Sequence, residues 1–170
     1  MAVLKRNYGR KQQWRNEAIA TLVEELTELG QRACLYAIEN KGYENRKYNL
    51  RDSIGSAVYV DGEIVPSSKR YAYRKSSKGT YVDRGENGTY DEITGRDAIN
   101  RYWDDNQTLP NARNAIELVV IAATFYAGIL EDYYGIQVIS DVTDFLESEM
   151  GTYKSFKPKL RAHADLVDVV

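Results

Sequence analysis

One cysteine and one histidine in 170 residues remove whole classes of chemistry at once. Cys34 alone cannot close an internal disulfide, so the chain suits a reducing cytosol, and its place in an expected helix reads as a buried structural thiol. His163 stands in the C-terminal tail, far along the sequence from Cys34, which nearly excludes a metal centre built on those two residue types. No apolar run approaches the roughly 18 residues of a spanning helix, and no apolar core follows the basic N-terminus as in a signal peptide. The expectation is a soluble protein with no membrane partner. Catalytic signatures are equally scarce. The chain has no G-x-S-x-G, no phosphate-loop lysine motif and no G-x-G-x-x-G, and Gly85-Glu86-Asn87-Gly88 lies in a polar loop without a preceding apolar strand. Paired carboxylates are so easy to find in an acidic chain that they carry no signal. No enzyme activity, metal or cofactor is expected.

What the chain does have is segregated charge. The formal net charge of −2 hides two basic segments free of acids, Met1 to Arg15 and Pro66 to Val82, each with five Lys or Arg. Those ten of the 23 basic residues leave thirteen against 25 acids in the rest of the chain. Basic arms on an acidic body can engage nucleic acid or an acidic face of a neighbouring subunit.

At this length one domain with a full core is expected. Residues 1–13 are basic and unpatterned and read as an arm. From Trp14 the positions Trp14, Ala18, Leu22, Leu26, Leu29, Ala33 and Ala37 recur at three or four, predicting a long amphipathic helix to about Asn40–Gly42 with Glu24, Glu25 and Glu28 on or beside its solvated face. Gly30 within it marks a bend or a close packing contact. Leu50 to Val65 reads as a short lead-in, a strand, the pair Asp61-Gly62 and a second strand, a hairpin with a type I′ turn that completes a helix-plus-hairpin unit over 14–65.

Residues 66–93 read as a projecting loop or extended hairpin. Lys69, Arg70, Tyr71, Tyr73, Arg74 and Lys75 interleave positive charge with aromatic rings, a composition that suits a protein interface or a nucleic-acid strand. The rest of the core spans 94–150. It contains a capped helix over 95–104 with Thr94 as N-cap and Asp97 three residues on, and a strand at Leu118–Ile121 whose β-branched run predicts cover on both faces. A short amphipathic helix through Tyr126, Ile129, Leu130 and Tyr133 stops at Gly135, and a last helix begins after Ser140 and ends near Met150. Residues 151–170 read as a tail that adds little to a single subunit's core, although Phe156 and Leu160 are apolar enough to bind a neighbour. The fold class is therefore α+β: a long N-terminal helix packed on a small, mostly antiparallel sheet, with short helices and extended arms.

Two stretches carry a family resemblance. Asn49-Leu50-Arg51-Asp52-Ser53-Ile54 leads directly into the Asp-Gly hairpin, and a later strand feeds Phe125-Tyr126-Ala127-Gly128-Ile129-Leu130-Glu131. This order, behind a long N-terminal helix, resembles the tail-completion or head–tail joining proteins of tailed bacteriophages over about residues 14–65 and 116–150. The family pattern falls on Leu50, Arg51, Ser53 and Ile54, and on Tyr126, Ala127 and Glu131. The resemblance implies a non-enzymatic virion subunit assembled in the host cytoplasm, forming a homo-oligomeric ring at the portal-to-tail junction. Its partners would be neighbouring portal, connector or tail proteins, with DNA possible in the ring lumen. The composition by itself leaves open a nucleic-acid-binding or scaffold module with basic arms.

Overall fold

The computed structural model describes residues 2–39, 49–73, 78–84, 90–109, 114–136 and 138–150. Its longest element is helix α1, Ala2–Glu39, whose 38 residues span about 57 Å at 1.5 Å per residue. No proline occurs before Pro66, so nothing in the sequence forces a break. The basic segment 1–13, expected as an unpatterned arm, is helical from Ala2 and continuous with α1.

After the short helix α2 (Asn49–Asp52) comes strand β1 (Ile54–Val60), the centre of the sheet. The strand β6 (Ile116–Ala122) runs antiparallel along one edge of β1, pairing residue by residue from Ile54 with Ala122 to Val60 with Ile116. On the other edge, β2 (Glu63–Ile64) pairs with Tyr59 and Val60, and β3 (Arg70–Tyr71) pairs with Gly55 and Ser56. The β1–β2 connection is the expected hairpin turn: Asp61 and Gly62 have φ of 53° and 86°, the two positive values that a type I′ turn requires.

Alternation along the two central strands builds a core on each side of the sheet, since successive strand residues point to opposite faces. Ile54, Val58, Leu118, Val120 and Ala122 pack with Leu26, Leu29, Ala33 and Ala37 of α1 and with Val142, Leu146 and Met150 of α5 (Asp141–Met150). Ala57, Tyr59, Val119 and Ile121 pack on the other face with Ile99 and Trp103 of α3 (Gly95–Asp105). The Leu118–Ile121 run is thus covered on both faces. Tyr59 has no exposed surface, and its hydroxyl donates to the Asn106 carbonyl at 2.7 Å just beyond α3. The N-terminus of α3 has the capping box foreseen: Thr94 accepts from the Asp97 amide while the Asp97 carboxylate accepts from the Thr94 amide. Those bonds, the Thr94 backbone foremost and its hydroxyl next, hold the Asp97 carboxyl below the usual carboxylate range.

Residues 66–93 do not form one projecting loop. The Ser68 hydroxyl donates to Val65 O at 2.7 Å and accepts from the Val58 amide at 2.8 Å, tying the turn at Pro66–Ser68 to the edge of β1. From there β3 extends the sheet, and Ala72 is buried with its amide on Ile54 O. The second half matches the extended-hairpin reading, with β4 (Tyr81–Arg84) and β5 (Tyr90–Ile93) forming a two-stranded sheet of their own.

Gly30 settles into a close packing contact. A Cβ there would stand 2.5 Å from Ser56 Oγ and 2.9 Å from a Leu118 methyl, so a side chain at this position would collide with the sheet on which α1 rests. Beside it Cys34 is fully buried, and burial pushes its thiol up to about 12 against weaker opposing pulls from the Ser56 hydroxyl and its own backbone.

Two outcomes follow from this contact. Gly30→Ala gains up to about 1 kcal/mol of helix propensity but overpacks a short buried side chain at a cost of about 1–3 kcal/mol. The net expectation is a lower urea midpoint; a higher one would show that α1 can lift off the sheet. The folded Cys34 thiol stays protonated where the unfolded one ionises, so its share of stability is whole below pH 9 and is lost as pH rises towards 12. Alkylation of native protein at pH 8.5 should run on the order of 10³-fold slower than in urea, from the pKa gap alone. Equal rates would place the thiol at the surface.

Candidate assembly surfaces

The sequence motif ahead of β1 is a structural joint. Leu50 and Ile54 are core residues, and the Ser53 hydroxyl donates to Leu50 O at 2.8 Å, closing α2 before the strand begins. Arg51 donates from Nε and Nη2 to Asp52 Oδ1 at 3.0 and 2.9 Å, and the Asp52 side chain is fully buried. The same guanidinium lies 3.7 Å from the centre of the Tyr73 ring.

The basic, tyrosine-rich segment folds back on the body through contacts of this kind. Arg96 of α3 stacks 3.7 Å from the centre of the Tyr71 ring and donates to the Tyr73 carbonyl, and the Tyr71 hydroxyl donates to Asn100 Oδ1 at 2.8 Å. Arg70 turns its guanidinium onto the carbonyls of Ser67 and Lys69. Each cation–ring contact is worth about 0.5–1 kcal/mol at an exposed site. Lys69, Arg70 and Tyr71 are half-buried, and among the described residues of this group Tyr73 alone is exposed. Arg74, Lys75, Phe156 and Leu160 lie outside the described residues.

The second motif follows β6. Helix α4 covers only Tyr126–Gly128 and opens into a π-helical turn at Ile129–Tyr133, shorter and wider than the amphipathic helix expected. Ala127 is buried, and Tyr126 is buried enough that desolvation raises its hydroxyl to about 12 despite a bond with Thr124. The wider turn breaks the 3.6-residue period, so Ile129 and Tyr133 leave the apolar face on which the spacing put them. Ile129 is 42% exposed, Phe125 45% and Tyr133 81%, with Tyr134 beside it. Tyr81 of β4 joins the cluster edge-on to Tyr126, with ring centres 5.4 Å apart.

Glu131 closes this unit. A single carboxylate oxygen, Oε1, accepts from the amides of Val138, Ile139 and Ser140 at 2.8, 2.5 and 2.8 Å. Those amides lead into α5, so the negative charge sits where the helix dipole favours it. Ser140 precedes α5 as expected, but the residue that satisfies the approach to the helix comes from the preceding turn. Residues 138–140 form a bend with Val138 and Ile139 buried.

A further surface was missed by periodicity. Leu26, Leu29, Ala33 and Ala37 of the α1 stripe are buried, whereas Trp14 is 66% exposed and Ala18 is exposed. A seven-residue strand spans only about 23 Å. A sheet of such strands cannot cover a helix of about 57 Å, and the remainder of the stripe runs past it. Arithmetic on helix and strand lengths was the available signal.

Comparison with protein-family models, curated proteins and solved structures gives no match. Among the described residues no group of three or more His, Cys, Asp or Glu is placed to hold a metal ion, and no helix is long and apolar enough to cross a membrane. The arrangement offers two unlike apolar surfaces on separate elements: the free end of the α1 stripe and the aromatic face around Phe125, Ile129 and Tyr133.

Glu131→Gln keeps the side-chain length and removes the charge. It should lower stability by about 1.5–3 kcal/mol, the range for bonds to a charged acceptor, read as the urea midpoint. An unchanged midpoint would mean that a neutral amide oxygen serves the three N–H groups as well as the carboxylate does.

Proposed function

We propose that this chain is a structural virion protein, a non-enzymatic subunit of a ring at the head–tail connector or tail-completion position of a tailed bacteriophage. The observation that carries the reading is the pair of unlike apolar surfaces, Trp14 on the overhang of α1 and Phe125 with Ile129 and Tyr133 on the π turn. A head-to-tail ring joins one patch of each subunit to a different patch of the next, so every subunit must present two. The ordered motifs support the same reading. The Leu50–Ile54 joint, the Asp61-Gly62 hairpin, the central strand and the Tyr126–Glu131 turn share one sheet-and-helix unit, and each residue of the resemblance is engaged in holding that unit together. Charge adds a directional term, because α1 begins with five basic residues and no acid while 18 basic residues stand against 25 acids in the rest of the chain.

The partners of such a ring are portal, connector or tail proteins above and below it. A dedicated nucleic-acid surface has less support, since Arg51, Arg96 and Arg70 spend their guanidinium groups on intramolecular contacts. Strand passage through a ring lumen would not need one.

Negative-stain microscopy and light scattering on the purified chain test the proposal. Closed rings, or ring-sized particles that dissociate as salt screens the charges, are expected. Trp14→Ser should keep the circular dichroism of the fold and weaken association about 10- to 100-fold, the equivalent of burying one large apolar side chain. A monomer at every concentration, or association indifferent to Trp14→Ser, would contradict the reading.

A further inference from the structure

Near its C-terminal end α5 lies against α1 and leaves a groove of about 240 Å³ between them, lined by Leu22, Leu26, Leu29 and Met150 with Glu25, Glu28, Arg32 and Glu149 around it. The two helices run antiparallel: Tyr36 stacks on Phe145 with ring centres 4.7 Å apart, and four residues back along α1 and four residues on along α5 Arg32 pairs with Glu149. The chain therefore leaves Met150 at the groove wall, heading toward the N-terminal end of α1. Twenty residues follow Met150.

Those residues match the groove in chemistry. Between Lys154 and Arg161 the sequence holds Lys154, Lys157, Lys159 and Arg161 with no acid, and places Phe156 and Leu160 four residues apart. Around the groove stand three carboxylates against one guanidinium, and that guanidinium is already paired to Glu149. Beyond the groove, in the direction α5 points, the next charged residue of α1 is Glu17, and Arg15 and Lys11 follow it. An apolar floor with an acidic rim thus lies directly downstream of a segment that carries apolar anchors between basic residues. A segment tethered this closely meets its site at an effective concentration in the millimolar range, which favours its own groove over that of another copy.

We infer that the groove between α1 and α5 is the docking site of the chain's own C-terminal tail, with Phe156 in the apolar floor and the flanking lysines on Glu25 and Glu28. The docked tail is a surface strap, added after the core is complete. This assignment does not depend on ring formation.

Thiol cross-linking of the full-length protein with a short bismaleimide tests it, and the buried Cys34 serves as a silent background. The double variant Glu25→Cys with Ser155→Cys should give a cross-linked monomer, identified by mass after proteolysis. An equimolar mixture of the two single variants should give no cross-linked dimer at the same dilution. Adding Glu28→Lys or Phe156→Ser to the double variant should cut the intramolecular yield severalfold. Cross-linking confined to the mixture would overturn the inference in favour of a neighbour's tail, and no cross-linking in either sample would remove the tail from the groove. Rings seen by microscopy alongside a failed cross-link would strike this inference alone, and cross-linked monomers that never form rings would strike the ring reading alone.

Discussion

The pairing of β1 with β6 is the constraint on which the other elements depend. Ile54 to Val60 face Ala122 to Ile116 without a bulge or slip. A shift of one residue would send every side chain of β6 to the opposite face of the sheet. That would remove Leu118 and Val120 from beneath α1 and Val119 and Ile121 from beneath α3 in the same step. Register is therefore held from both sides. The turn at Asp61-Gly62 fixes one end of β1, and the Leu50–Ser53 joint fixes the other.

A mismatch of lengths follows from so small a sheet. Strands of seven residues give α1 a footing that ends near Leu22, while the helix and its apolar stripe continue to Trp14 and beyond. The buried half of α1 is pressed close by the absence of a side chain at Gly30, and on the other half the indole of Trp14 is 66% exposed among the described residues. The π turn produces a second exposed apolar face by a different route, as its wider step rotates Ile129 and Tyr133 away from the core. Both surfaces arise from elements that also complete the core, so the exposed apolar faces and the packed interior are built from the same elements. Glu131 makes the link explicit, since the turn that exposes Tyr133 also holds the approach to α5.

Much of this was legible in the sequence because local rules and global fold agree. Thr94 with Asp97 marked the start of α3, Asp61-Gly62 marked the hairpin, and the β-branched run at Leu118–Ile121 marked a strand covered on both faces. The sequence misled where a long-range partner decides the outcome. Tyr71 and Tyr73 looked unattached because their spacing contains no hint of Arg96 and Arg51, which arrive from other elements and stack on their rings. Residues 66–72 looked like the start of a loop because the sheet edge that receives them lies at Gly55 and Ser56. Trp14 looked like core because helical periodicity carries no information on where a partner surface ends. Of the candidate interface residues, Tyr73 kept an exposed side chain, and the surfaces at Trp14 and Phe125 emerged only once burial was known.

Amide hydrogen exchange along α1 is the most direct test of this account, whose central claim is that one half of the helix is built into the sheet and the other half is surface awaiting a partner. In the dilute, unassembled chain, amides from Leu26 to Ala37 should exchange as slowly as those of β1 and β6. Amides from Lys11 to Thr21 should exchange through local fraying at far lower free energy, and should slow on association. Uniform slow exchange from Lys11 to Ala37 in the monomer would contradict it, because the overhang would then already be packed against its own chain.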